Sequence, residues 1–243
     1  MMNKESGFKM RRITMRGKLA LGLVLAMTIS ISAAADSGPY DGGGGPIVMG
    51  AMIDFSELQG VFENTLDISP DFELGDDEIF IFYGGGGFGG ADFRVGGVAA
   101  GNEWTFPTLG ESPFDSVQLS FDIQGFWVES FISEAPMGGV SVGALLGWAD
   151  IELRLVQDFS GSFEEFIKSP PLKFSMSRDL WFVQPFVSAE IQVLEFMALK
   201  VTGGYWQGLS FGEWHLSDGQ SVPGGPMKNI GFPYLQFMIL FGG

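Results

Sequence analysis

The 243-residue chain has no cysteine and a single histidine, His215. Without cysteine no disulfide can staple the fold, so its own core or the closure of its own sheet must hold it. One histidine and no thiol also remove most zinc, copper and thiol chemistry. Basic residues are scarce, 13 against 29 acidic ones, and six of the 13 fall within the first 35 positions. Residues 36–243 therefore hold seven basic and 28 acidic side chains, a formal charge of −21. Such a chain repels phosphate backbones and anionic membrane surfaces, which argues against nucleic acid as a partner. No N-x-[ST] sequon occurs. Beyond residues 19–35 no apolar run approaches the 18 residues of a spanning helix.

What is abundant is glycine, 37 residues, about twice the usual share of roughly 7%. Glycine disfavours helix interiors, so this excess points to strands, bulges and tight turns. The N-terminus has the layout of a secretory signal. Lys4, Lys9, Arg11, Arg12, Arg16 and Lys18 precede the apolar run "LALGLVLAMTISI", and Ala33 and Ala35 provide small residues before Asp36. Residues 1–35 are read as a cleaved signal peptide, 36–46 as a flexible glycine-rich leader, and 47–243 as one β-barrel domain.

Asp54 followed by Glu57 makes a capping box ahead of Phe55, Leu58, Val61 and Phe62, which predicts one short helix. "SFEEFIKSPP" (162–171) is a second helix or loop candidate. From residue 79 onward the period is two. "SVQLSFDIQ" sets Val117, Leu119, Phe121 and Ile123 against Gln118, Ser120, Asp122 and Gln124. "GVSVGALLGWADIELRLV" alternates too, but its parity flips near Trp148–Asp150, where a bulge or corner is expected. Residues 182–206 form a hairpin broken near 194–196. Val183, Val187, Ala189, Ile191 and Val193 share one parity; Gln184, Ser188, Glu190 and Gln192 share the other. On the return strand Leu199, Val201 and Tyr205 oppose Lys200 and Thr202.

Alternation alone leaves open whether the apolar parity meets lipid or protein. Strands of 9–11 residues and aromatics near strand ends (Trp127, Trp148, Trp181, Tyr205, Trp206) favour a membrane barrel. Against it, both faces of the closing strand are apolar, Met238 and Leu240 opposing Phe237 and Ile239. The signal, the hairpin "WFVQPFVSAEIQVLEFMALKVTGGYW" and the closing "FPYLQFMILFGG" resemble the layout of bacterial outer-membrane β-barrel proteins. The likeness departs at the end, which is Phe241-Gly242-Gly243 in place of a terminal aromatic. That class is functionally diverse, so the resemblance implies a fold and a location and no activity.

Two formal motifs lack their context. Gly85–Gly90 matches G-x-G-x-x-G, but "ADFRVGGV" follows as a strand where a nucleotide site needs a helix. Gly208-Leu209-Ser210-Phe211-Gly212 matches the hydrolase elbow, yet no helix follows, and His215 precedes Asp218 only a few residues on. Asp71, Glu73, Asp76, Asp77 and Glu78 are dense enough for a weak calcium site, with a solvated acidic loop as the plainer account. Asp122, Glu152 and Glu190, with Arg94, Arg154 and Lys200, lie on polar parities and would fill a barrel lumen as ion pairs.

The sequence is thus read as all-β, an antiparallel closed barrel of about eight to ten strands with one or two short helices. The expected function is that of a non-enzymatic exported envelope protein, an outer-membrane barrel with a structural or limited-passage role. The alternative is a soluble periplasmic or extracellular barrel or sandwich acting as a binding module. No catalytic residue, cofactor or nucleic-acid partner is expected. Outer-membrane lipid is the expected partner, and the residues name no small-molecule or protein ligand.

Overall fold

The computed structural model describes residues 42–65, 69–70, 78–90, 93–109, 114–135, 138–157, 162 and 173–242. The expected signal peptide, the loop at 163–171 and the acidic residues 71–77 lie outside them. Eight long strands form the staves: β1 (Gly42–Met52), β3 (Ile79–Gly89), β4 (Phe93–Leu109), β5 (Ser116–Ala135), β6 (Gly138–Val156), β7 (Lys173–Leu194), β8 (Met197–Leu209) and β11 (Asn229–Gly242). Three short ones accompany them: β2 (Ser69–Pro70) beside β4, β9 (Trp214–Leu216) beside β7, and β10 (Ser221–Val222) beside β9. Every pairing is antiparallel, and the sheet closes through β3–β1, β1–β11, β11–β8 and β8–β7. The protein is an all-β closed antiparallel eight-stranded barrel with one short helix among the described residues. Following cross-strand partners once around it returns to β1 about ten residues displaced, a stagger that tilts the strands by roughly 40°.

Residues 42–46, expected as part of a flexible leader, are strand. Gly42–Pro46 opens β1 and pairs with Gly85–Gly89, where each ladder pair has at least one glycine and the backbones can approach closely. Gly85–Gly89 is therefore ladder, not a phosphate loop. Helix α1 (Ser56–Thr65) occupies its predicted place. Asp54 Oδ1 accepts from Ser56 N at 2.8 Å. Glu57 Oε2 accepts from Met227 N at 2.8 Å, so the helix start is tied to the loop before β11. That bond spans 170 residues and could not be read from local spacing.

On the hairpin 182–206 the apolar parity points outward. Val183, Val187, Ile191 and Val193 are exposed, while Gln184, Ser188 and Glu190 are buried inside. Water would not tolerate an outer band of this size; Phe126, Val128, Val142, Leu146, Leu199, Leu235, Phe237, Ile239 and Phe241 extend it around the barrel. The band ends sharply. On β6 the outward residues run Val140, Val142, Ala144, Leu146, Trp148, then Asp150, Glu152, Arg154. On β7 they change between Trp181 and Asp179, and on β5 between Phe126 and Gln124. Trp148 is 6.4 Å from both Trp181 and Phe126, ring to ring, an interfacial girdle. From Trp181 to Ile191, a ten-residue step at the strand tilt spans about 25 Å, the height of an outer-membrane apolar band.

The parity flip at Trp148–Asp150 is thus no bulge. The register of β6 with both neighbours is unbroken there, and the shifts fall instead at Phe131/Ser133 and Gln192/Leu194. What changes is the surroundings: the same outward parity leaves lipid and enters water. The inward parity changes in the opposite sense, from Ser141 and Gly143 to Leu145, Ile151, Leu153 and Leu155. The strands β4–β7 are 17, 20, 19 and 22 residues long, beyond the 9–11 expected, because they continue past the girdle as the wall of a water-soluble structure. Short links (90–92, 136–137, 195–196) and both chain ends of the barrel share one rim. The long links (53–78, 157–172, 210–228) share the other, the outer-membrane pattern of short periplasmic turns and longer external loops.

A charge placed mid-band should be costly and the same charge on the external wall should not. Val187→Arg is expected to lose about 2–4 kcal/mol of unfolding free energy, and Ser177→Arg less than about 0.5 kcal/mol, by reversible urea titration in phospholipid bilayers.

Candidate functional site

The densest chemistry among the described residues lies inside the barrel near its short-turn rim. Arg94 on β4 is the register partner of Glu129 on β5, and Glu190 on β7 is the register partner of Lys200 on β8. All four side chains are buried. They exchange partners across the lumen. Arg94 Nη1 donates to Glu190 Oε2 at 2.7 Å and lies 3.7 Å from Glu129 Oε1, and Lys200 Nζ donates to Glu129 Oε2. Ser141 Oγ adds a bond to the same Glu129 oxygen at 3.3 Å.

Two cations and two carboxylates make the cluster formally neutral, which suits a site sealed from water. Aromatic faces complete it. The Arg94 guanidinium lies 4.2 Å from the Phe88 ring centroid and 4.5 Å from that of Phe131, and Lys200 Nζ is 5.1 Å from that of Trp127. A planar, weakly hydrated guanidinium fits between two rings as an ammonium would not. Trp127 itself lies flat against the wall because position 96 is glycine: a Cβ there would stand 2.6 Å from its Nε1. Trp127 and Trp206, expected as interfacial aromatics, are both buried inside.

Above the cluster comes a thinner polar layer. Ser188 and Thr202 share a hydrogen bond of 2.9 Å, and Gln184 and Gln236 are buried nearby. A cavity of about 10 Å³ sits among Trp127, Gln184, Lys200, Thr202, Tyr234 and Gln236, room for about one water. Then the lumen is closed by rings. Trp206 stacks on Phe232 at 4.8 Å and on Phe182 at 5.0 Å, and Phe121 meets Trp206 edge-on at 5.6 Å. At the external mouth Phe55, just before α1, and Leu58 within it join this apolar core, with Phe55 edge-on to Phe80 at 4.9 Å. Arg178 fastens the loop above, donating to the carbonyls of Pro226 (2.6 Å) and Gly212 (2.9 Å). Trp214 Nε1 donates to Pro226 as well, at 3.1 Å.

Of the six polar-parity residues singled out in the sequence, the barrel brings Arg94, Glu190 and Lys200 together and turns Asp122, Glu152 and Arg154 outward. The latter lie on the external wall, where water rather than a lumen receives them. Arg154 bonds Glu152 at 2.7 Å and Glu103 at 3.3 Å, and Ser175 Oγ donates to Glu152 at 2.7 Å. Glu129 was missed. It sits on the parity of Phe121, Ile123 and Trp127, and a carboxylate on that apolar parity was the available signal.

The motif residues do not assemble. Ser210 Oγ donates to Gly212 O at 3.3 Å, while His215 Nδ1 pairs with Ser221 Oγ at 3.2 Å. Among the described residues no three or more His, Asp or Glu side chains gather as a metal site. The proposed calcium stretch lies outside them apart from Glu78.

Removing one partner should hurt more than removing a pair. Glu129→Leu is expected to cost about 3–5 kcal/mol, because Lys200 and part of Arg94 stay buried without their anion. Glu129→Leu with Lys200→Met should recover at least half of that loss in the same urea titration.

No family model matches the sequence, and no curated protein matches it. Two solved structures of Ail, the attachment invasion locus protein of Yersinia pestis, are similar to this chain. One, in complex with the heparin analogue sucrose octasulfate, has a TM-score of 0.42 at 13% identity; the other has 0.40 at 12%. Each comparison covers 83% of this chain and 99% of Ail. By its own closed sheet, lipid-facing band and aromatic girdle, this chain is an outer-membrane β-barrel.

Proposed function

We propose that the protein is a non-enzymatic envelope component, a closed membrane anchor that holds a rigid polar-faced wall outside the cell. The stacked Trp206, Phe232 and Phe182 carry this reading, because they fill the barrel between the charge cluster and the external mouth. A porin-like lumen would need a continuous aqueous path, whereas among the described residues the cavity in the polar section is about 10 Å³ and lies beneath the stacked rings. Of the two roles considered from the sequence, the filled interior favours a structural one over limited passage. Its partners are the surrounding outer-membrane lipids and whatever meets the external face of β4–β7. That face carries Glu103, Thr105, Gln118, Ser120, Asp122, Asp150, Glu152, Arg154, Ser175, Ser177 and Asp179. Chemistry is not supported, since neither Ser210 nor His215 has the neighbours that acyl transfer requires.

Planar-bilayer recording tests the closed barrel. Refolded protein is expected to give no conductance steps, while Trp206→Ala combined with Phe232→Ala should give small ones. Steps of fixed size from the unsubstituted chain would overturn the proposal.

A further inference from the structure

The upper edge of the apolar band is not level. Trp148, Trp181 and Leu209 are successive register partners on β6, β7 and β8, all facing outward. Two residues further out, the outward positions are Asp150 on β6 and Asp179 on β7, but Phe211 beyond the end of β8. Asp122 on β5 continues the carboxylates in register with Asp150. Phe211 is 84% exposed, the highest of any large apolar side chain described, and Ser210 beneath it is still held to the ladder by its N–H bond to Lys228 O at 2.8 Å. The same side of the barrel carries Leu209 (44%) and, on the paired ends of β1 and β3, Met52 (43%) and Ile79 (64%).

The strands on that side, β1, β3, β8 and β11, are 11, 11, 13 and 14 residues long, against 17 to 22 for β4–β7. On one flank the outer ends of β1, β3 and β8 are still apolar, with Asn229 on β11 the polar position among them, while the other flank turns acidic as its strands run on. A bilayer surface is flat on this scale, so a lipid boundary that climbs around a barrel requires the barrel to lean.

We propose that Phe211, with Leu209, Met52 and Ile79, is seated in the outer leaflet, so that the barrel stands oblique with its short-strand flank sunk and its β4–β7 wall raised. The occupant of this surface is lipid, because Val48, Gly50 and Met52 on β1 and Tyr83, Ile81 and Ile79 on β3 prolong the lipid-facing band without a polar break, and on β8 the one interruption, Gln207, has its amide taken up by Asn229 Oδ1 and Ile230 O. Tyr205, Gln207, Leu209 and Phe211 share one parity. Asp122 on β5 and Asp150 on β6 keep the opposite flank from sinking equally far, since burying either as a carboxylate is costly.

The absence of native cysteine makes the test direct. Single substitutions Phe211→Cys, Glu152→Cys and Leu146→Cys are labelled with an environment-sensitive fluorophore and reconstituted in phosphatidylcholine vesicles. Unchanged near-ultraviolet circular dichroism serves as the control for folding. The expected result is blue-shifted emission and quenching by a lipid-borne quencher at 211 and at 146, with aqueous quenching at 152. Aqueous quenching at 211 equal to that at 152 would overturn the oblique seating. Shielding of 211 from both quenchers would overturn lipid as the occupant and point to a second copy. Loss of lipid quenching at 146 would instead contradict the membrane barrel itself.

Discussion

A strand that crosses from lipid into water must exchange the polarity of its two faces, and this exchange organises the molecule. Below the girdle the outside is Val, Leu, Ile and Phe, and the inside holds Arg94, Glu129, Glu190 and Lys200. Above it the outside is Asp, Glu, Ser and Gln, and the inside is Phe80, Phe82, Phe121, Leu153 and Leu155. Each half is stable only in its own solvent. In hydrocarbon the backbone can be satisfied only by closing the sheet, and lumen-facing charges must pair with one another. In water the same sheet behaves as an ordinary protein wall and buries an apolar core beneath α1.

The two cores are complementary in consequence. The neutral cluster gives the narrow rim a fixed, directional set of contacts, at a desolvation cost that apolar residues of similar size would not carry. The aromatic stack above gives bulk and closure. Glycine mediates between them: position 96 lets Trp127 lie flat beneath Lys200, bringing an indole face to an ammonium. The loop carrying Met227 and the carbonyls of Gly212 and Pro226 closes the outer end through Glu57 and Arg178, joining residues far apart in sequence.

Much of this was legible in the chain. The period-two pattern, the hairpin over 182–206 and the helix at 56–65 all follow from side-chain alternation and local capping. The two apolar faces of β11 are a lipid face (Phe237, Ile239) and a core face (Met238, Leu240), so they do not count against a membrane barrel. The question of lipid or core had no single answer, because it changes with height along one strand. A sequence window records a parity flip at Trp148–Asp150 but not the change of solvent that causes it, so a bulge was the natural inference. The cluster was half visible: alternation shows which residues share a face, whereas Glu129 reaches Lys200 only through a barrel closure that local spacing does not encode.

The most direct measurement is a spin-label scan along the outward positions of β6, with cysteine introduced singly at 140, 142, 144, 146, 148, 150, 152 and 154 in bilayer-reconstituted protein. Collision with oxygen, which prefers lipid, and with a water-soluble nickel chelate should cross over once, between 148 and 150. A scan in which both accessibilities stay uniform from 140 to 154, or cross elsewhere, would contradict the account.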